Sequence, residues 1–277
     1  MKRLLKKILQ RLHLLGRAAI IYNNLKLLGH FSLLREIKIR LRGVPDHLPL
    51  PSSSIIFDVI GHGWRSIYYD SGKIIVDYML KNLGNNRIRI AASTRVLDFG
   101  CGCGRLLRHL YFSKKPECCG TDYNERLIRW CAKNLPFSDF RVNQLEPPLP
   151  YRDGHFDFVY AQSVFTHLSE DLQLKWLAEF HRILKTDGSL YLTTHGRQFI
   201  HKLNDVEKEV FEGGRVVIQH SEDQGKNICG AFQLPIYFKR KVKSGFSMID
   251  FIPGQDEIHL QQDVNLFRKT EKPLIFE

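Results

Sequence analysis

From Arg95 to Thr194 the chain alternates between runs suited to buried strands and segments with helical spacing, and no other feature narrows its fold as much. Arg95–Phe99, Glu117–Asp122, Phe156–Gln162 and Ser189–Thr194 read as strands, with Arg105–Tyr111, Asn124–Asn134 and Leu172–Leu184 as helices between them. Short strands joined by helices predict a parallel sheet covered on both faces. A further helix is predicted around Ser71–Leu83. Near the C-terminus Ile236–Lys243 reads as a helix, and Gly245–Ile252 and Gln262–Arg268 as two strands about a turn at Pro253–Gln255. Strands that close in sequence pair antiparallel. At 277 residues the chain can form one large domain with appendages.

Charge divides the chain more sharply than hydrophobicity does. The net charge is +12, yet residues 1–43 hold eleven Lys/Arg against one acid, Glu36, so the body is only about +2. Within residues 2–15, Leu4, Leu5, Ile8, Leu9, Leu12 and Leu15 fall on one helical face, while Lys2, Arg3, Lys6, Lys7, Gln10 and Arg11 fill the other. A basic amphipathic helix of this kind either lies in the headgroup layer of an anionic membrane or packs its leucines on the body. No apolar run reaches the roughly 18 residues of a membrane span, and Arg11, His13 and Arg17 interrupt the stretch a secretory signal would need. The Pro/Gly/Ser-rich stretch at 43–53 marks a boundary. The expected organisation is a basic helical extension over 1–50, cap helices over 51–94, a ligand-binding core over 95–196, a substrate-side insertion over 197–235, and a C-terminal helix with closing strands over 236–277. The six cysteines show neither C-x-x-C pairing nor a disulfide framework, which predicts a reducing, cytoplasmic setting and no metal.

The turn after the first strand is where an open parallel sheet holds its ligand. Here it reads D-x-G-x-G-x-G, with Asp98 at the strand end and Gly100 and Gly102 clearing side chains from the backbone. A dinucleotide fingerprint, G-x-G-x-x-G/A, would put its third glycine at Arg105 or Leu107, so both registers fail. A carboxylate beside this loop repels a pyrophosphate but suits a cationic ligand. Asp122 ends the second strand, 24 residues after Asp98, where an acid can accept hydrogen bonds from ribose hydroxyls. S-adenosyl-L-methionine, a nucleoside with a sulfonium and an ammonium, matches both acids.

The segments VLDFGCGCGR, GTDYNERL, LPYRDGHFDFVYAQSVFTHL and RILKTDGSLYLTTHG occur in the order and spacing of the class I S-adenosylmethionine-dependent methyltransferases, which the chain resembles from roughly Gly72 to Lys269. DFGCGCGRLLRHL with the late QDVNLFRK is most similar to a bacterial branch of small-molecule and glycan type. The resemblance implies an α/β fold with a Rossmann-like, seven-stranded sheet whose last strand is antiparallel. It implies Asp98, Gly100, Cys101, Gly102 and Arg105 around the methionine part, Asp122 on the ribose and Tyr123 on the adenine. It further implies Asn143 at the adenine's polar edge and Gln162 facing the transferable methyl.

Methyl transfer from a sulfonium is an in-line displacement, so the enzyme's main work is positioning without water. A base is needed where the nucleophile must lose a proton, as a sugar hydroxyl does. His195, after the fifth strand, is the preferred base, with His167, after the fourth, as the alternative. Trp64, Tyr68 and Tyr69 either close over the methionine side or pack in the core. Glu146-Pro147-Pro148-Leu149 lacks the aromatic of base-modifying amino-methyltransferases and precedes the fourth strand, which argues against a nucleic-acid acceptor. The leading expectation is O-methylation of a small or carbohydrate-containing acceptor, held at a membrane by residues 1–42. The alternatives are an RNA or DNA methyltransferase using the basic N-terminus as an electrostatic arm, and a non-catalytic binder of the cofactor.

Overall fold

The computed structural model describes residues 33–225 and 228–277. The helix expected over residues 2–15 lies outside them. In chain order the elements begin with α1 (Leu33–Arg42), α2 (Ser53–Ile60) and α3 (Arg65–Asn85), followed by β1 (Arg95–Phe99), α4 (Leu107–Lys114), β2 (Glu117–Asp122) and α5 (Glu125–Asn134). β3 (Ser138–Val142), β4 (Phe156–Ala161), α6 (Glu170–Ile183) and β5 (Leu184–Thr194) complete the parallel part. An insertion carries α7 (Asp205–Glu212), β6 (Val217–Gln219) and β7 (Gly230–Phe232). The chain closes with α8 (Ile236–Lys241), β8 (Val242–Ser244), β9 (Phe246–Ile252), β10 (Asp263–Lys269) and β11 (Ile275–Phe276).

Seven strands form one sheet in the order β3-β2-β1-β4-β5-β10-β9. β1 to β5 run parallel, and β10 runs antiparallel to both β5 and β9, the arrangement expected from the sequence. Strand order reverses between β1 and β4, so the sheet opens a crevice beyond their carboxyl ends.

Each face is sealed by helices whose apolar spacing the sequence carries. On one side α6 buries Trp176, Leu177, Phe180 and Ile183, with Trp176 4.3 Å from the Phe99 ring of β1. Ser169 starts α6 by accepting the Leu172 N–H, and Glu170 and Asp171 suit the positive end of its dipole. On the other side α3 buries Ile75, Val76, Met79 and Leu83 against Tyr160, Tyr191 and Leu266. Gly120 in β2 is required by packing, since a Cβ there would stand 2.8 Å from the Phe140 ring and 3.0 Å from Cys101 Sγ.

The structure departs from the sequence reading at several places. β3 was not anticipated, because SDFRV is mostly exposed on an edge and lacks apolar alternation. α4 starts at Leu107 and not Arg105, since the glycine turn continues through Leu106. β5 begins at Leu184, ahead of an irregular register against β4 and the left-handed Asp187. The boundary at 43–53 is a strap pinned to the body, with Asp46 accepting from the buried Arg108 Nε and Nη2 at 2.8 Å each.

Candidate functional site at the carboxyl edge of the sheet

β1, β2 and β4 bring Asp98, Asp122 and Gln162 to the crevice where strand order reverses. Asp98 is buried, and its Oδ2 has no hydrogen-bond partner. Burial raises its pKa to about 7; the nearby Asp122 charge adds to this, while Tyr160 and Arg105 oppose it. A buried acid left in this state favours a cation placed against it.

The glycine loop is built differently from a phosphate cradle. The N–H groups of Gly100 and Cys101 both donate to the Thr121 carbonyl, at 2.8 and 2.9 Å, and that of Gly104 donates to Cys101. The Gly102 N–H donates to Asp122 Oδ2 at 2.8 Å. These donors are already used within the protein. The glycines serve shape instead: Gly100 has φ +73°, and a Cβ on it would meet Val164 Cγ2 at 2.4 Å. Gly102 has φ +56° and faces Val59 of α2. Val164 and Val59 are each half-buried. The Cys101 side chain packs behind the loop, its thiol directed at the Gly102 carbonyl.

Asp122 Oδ1 accepts the Asn124 N–H at 2.8 Å, so this carboxylate ties the loop after β2 to the glycine loop. Each oxygen keeps a second lone pair for a hydroxyl. Tyr123 is exposed beside Leu145 and Gly225, offering an aromatic wall at the same edge. Asn143 is buried with Oδ1 unsatisfied, while its Nδ2 donates to the Gln144 carbonyl at 2.6 Å. An acceptor held in this way matches the exocyclic amine of an adenine. Arg105 donates from Nη1 to Ser71 Oγ at 3.1 Å and leaves Nε buried without a partner. Its charge is felt by Asp98, as a zwitterionic amino-acid group would require. The residues therefore fit S-adenosylmethionine, with orphaned acceptors for its cation and base, and a guanidinium for its carboxylate.

Gln162 is drawn into a polar cluster that no local pattern announces. Its Nε2 donates to Gln262 Oε1 at 3.2 Å, the same oxygen that accepts from Thr193 at 2.7 Å. Gln262 Nε2 donates to Ser163 Oγ, and Thr193 Oγ1 accepts the Ser163 N–H at 2.7 Å. Gln262 lies 100 residues from Gln162, and sequence spacing carries no signal for such a pairing. Tyr68, also undecided from sequence, is fully buried and donates to the Cys103 carbonyl at 2.8 Å, so it holds the glycine loop from behind. Tyr69 packs edge-on against His109.

His167 and His195 come together with ring centroids 6.2 Å apart. His195 is sandwiched between Phe199, at 4.2 Å, and Phe232, at 5.1 Å. Burial lowers its pKa to about 3, helped by His167 and Lys202. His167 Nδ1 stands 2.6 Å from the Cys229 carbonyl, which can only accept. The neutral ring is thereby fixed as the Nδ1–H tautomer, with Nε2 as its acceptor. Burial lowers this pKa as well. The insertion forms the wall around both rings: β7 bridges His195, and the His167 carbonyl accepts the Gly225 N–H at 2.8 Å. His201 and His220 stay exposed. Among the described residues no group of His, Cys, Asp and Glu could hold a metal.

Residues 97–192 match a family model described as a methyltransferase domain. A protein of Galdieria sulphuraria described as a sarcosine dimethylglycine methyltransferase has a similar fold, with TM-score 0.53 and 14% identity over 85% of this chain and 96% of that one. An S-adenosylmethionine-dependent methyltransferase of Mesorhizobium loti is similar at TM-score 0.51 and 12% identity, over 70% of this chain and all of its own.

Proposed function

We propose that the chain, whose residues 97–192 match a methyltransferase domain, is a class I S-adenosylmethionine-dependent methyltransferase with S-adenosyl-L-methionine as its cofactor, and that it methylates a hydroxyl of a carbohydrate-containing acceptor held at a membrane. The observation that carries the hydroxyl assignment is His167, an imidazole whose Nδ1–H is committed to the Cys229 carbonyl, leaving Nε2 to take a proton. The cofactor supplies an electrophilic methyl group when bound. Asp98 and Arg105 hold its amino-acid part, Asp122 its ribose, and Tyr123 and Asn143 its adenine. Gln162, braced by Gln262, limits how the acceptor enters.

His167 is the general base in this reading, and His195 shapes its surroundings. His195 is the weaker base, because its apolar cage disfavours the charged ring. As a neutral neighbour it packs beside His167 without competing for the proton. Lys202, 4.9 Å over the Phe199 ring, adds positive charge that suits an alkoxide forming nearby. The basic N-terminal residues 1–42 support an acceptor held at an anionic surface, such as a lipid-linked glycan.

Isotope-labelled methyl transfer from the cofactor to extracted glycolipid, protein and RNA pools tests this directly. Label should enter glycolipid and fall about 100-fold or more in His167→Ala, with cofactor affinity unchanged. Label in RNA would overturn the acceptor assignment.

A further inference from the structure

α1 turns an apolar stripe away from the body. Leu33, Leu34, Ile37 and Leu41 are 55, 76, 44 and 80% exposed. At 3.6 residues per turn they span an arc of about 100°. The opposite side of α1 buries Ile39 and the Glu36 side chain. Lys38 and Arg42 border the stripe on one flank and Arg40 on the other, all exposed. A groove of about 320 Å³ continues from the stripe toward the body, and its lining includes Ile37, Arg40 and Trp64. Apolar centre, cationic margins and a tryptophan at the edge are the makeup of a helix that lies in a headgroup layer.

This helix is joined rigidly to the cofactor cleft. Glu36 Oε2 accepts the Ser66 N–H at 2.8 Å, and Arg35 donates to both carboxylate oxygens of Asp70 at 2.8 and 3.1 Å. Ser66 and Asp70 lie on α3, as does Tyr68, whose hydroxyl holds the Cys103 carbonyl in the glycine loop. Whatever α1 rests on is therefore one helix away from the loop.

We propose that α1 is the docking face by which the chain lies on an anionic lipid bilayer, with its leucines at the acyl boundary and its cations among the phosphates. The proposal rests on the membrane-held acceptor of the preceding reading and assigns the contact to a folded element of the body. Charge selects lipid over the leucine face of residues 2–15 as the occupant. Residues 1–43 carry a net +10, so laying one basic segment on the other would crowd cations that an anionic surface neutralises.

The test uses the full chain and two vesicle types, phosphatidylglycerol mixed with phosphatidylcholine, and phosphatidylcholine alone. The wild type should sediment with the anionic vesicles and much less with the neutral ones. The double substitution Leu34→Glu and Leu41→Glu should lower the partition coefficient by about tenfold or more, with S-adenosylhomocysteine binding and the unfolding midpoint unchanged. Equal partitioning of variant and wild type would overturn the assignment to α1 while leaving a membrane-held acceptor standing. A lowered unfolding midpoint would show that protein covers the stripe, which also overturns it. A wild type that ignores anionic vesicles would remove the membrane reading itself.

Discussion

Asp98 sits buried with one oxygen unpartnered, and its proton is the most informative in the cleft. The folded chain without ligand holds that proton up to about pH 7, against an ordinary value of 3.8. Its contribution to stability is therefore complete in acid and is lost as pH rises from about 4 through 7. A ligand ammonium reverses the preference by favouring the carboxylate. Affinity for S-adenosylhomocysteine should rise by up to about tenfold per pH unit as pH climbs toward 7, then level off. Asp98→Asn should bind weakly with no such slope, and calorimetry across pH 5–8 reads both. Asp122 has two duties, since its oxygens also hold the Gly102 and Asn124 N–H groups. Asp122→Ala should weaken binding and also lower the unfolding midpoint, so Asp122→Asn, which keeps one acceptor, is the cleaner probe of the ribose contact. Both acids were legible in the sequence because each closes a strand that its own apolar run defines. Gln262 and Tyr68 were not, because their partners are set by tertiary contact with no local pattern. Nor was the balance between the two histidines, which depends on the Phe199–Phe232 cage and the Cys229 carbonyl.

Among the elements, the strap from Gly43 to Leu50 shows how a stretch that reads as a linker becomes part of the core. Arg108 on α4 is fully buried and receives its counter-charge from Asp46, with the Pro49 and Leu48 carbonyls at 3.3 Å accepting from the same guanidinium. Asp46→Ala would leave that cation buried without its ion, at a cost of about 3–5 kcal/mol. Urea unfolding should show the loss, and the further change Arg108→Met should recover much of it. Unchanged stability in Asp46→Ala would mean that the strap is not anchored in this way. The strands and helices that place the cleft were readable because buried parallel strands and amphipathic helices impose distinct periods. β3 escaped because an edge strand with exposed residues needs neither. The insertion was expected over 197–235, but its strands escaped because β6 and β7 are three residues each and take their position from His195.

At the scale of the whole molecule, burial has fixed several histidines in the neutral state. Desolvation lowers His62 and His109 to about 4 and His195 to about 3. Each refuses a proton that the unfolded chain accepts below about 6.5, so its stabilising effect is full above that pH and drains away in acid. At pH 5 each costs about 2 kcal/mol, against which Asp98 gains about 2 between pH 7 and 5. The balance predicts that urea stability falls by a few kcal/mol from pH 7 to pH 5, and a flat or rising profile would contradict it. The same imbalance of charge separates the basic N-terminal portion, including α1, from a nearly neutral body. The cleft itself is defined by two carboxylates on neighbouring strand ends with a turn between them whose N–H groups are mostly taken up by the protein. Parallel calorimetric titrations with S-adenosylhomocysteine and with NADH at pH 8 test that definition most directly. The account predicts one S-adenosylhomocysteine bound per chain and no heat from NADH. Silence with S-adenosylhomocysteine, or its displacement by NADH, would contradict it.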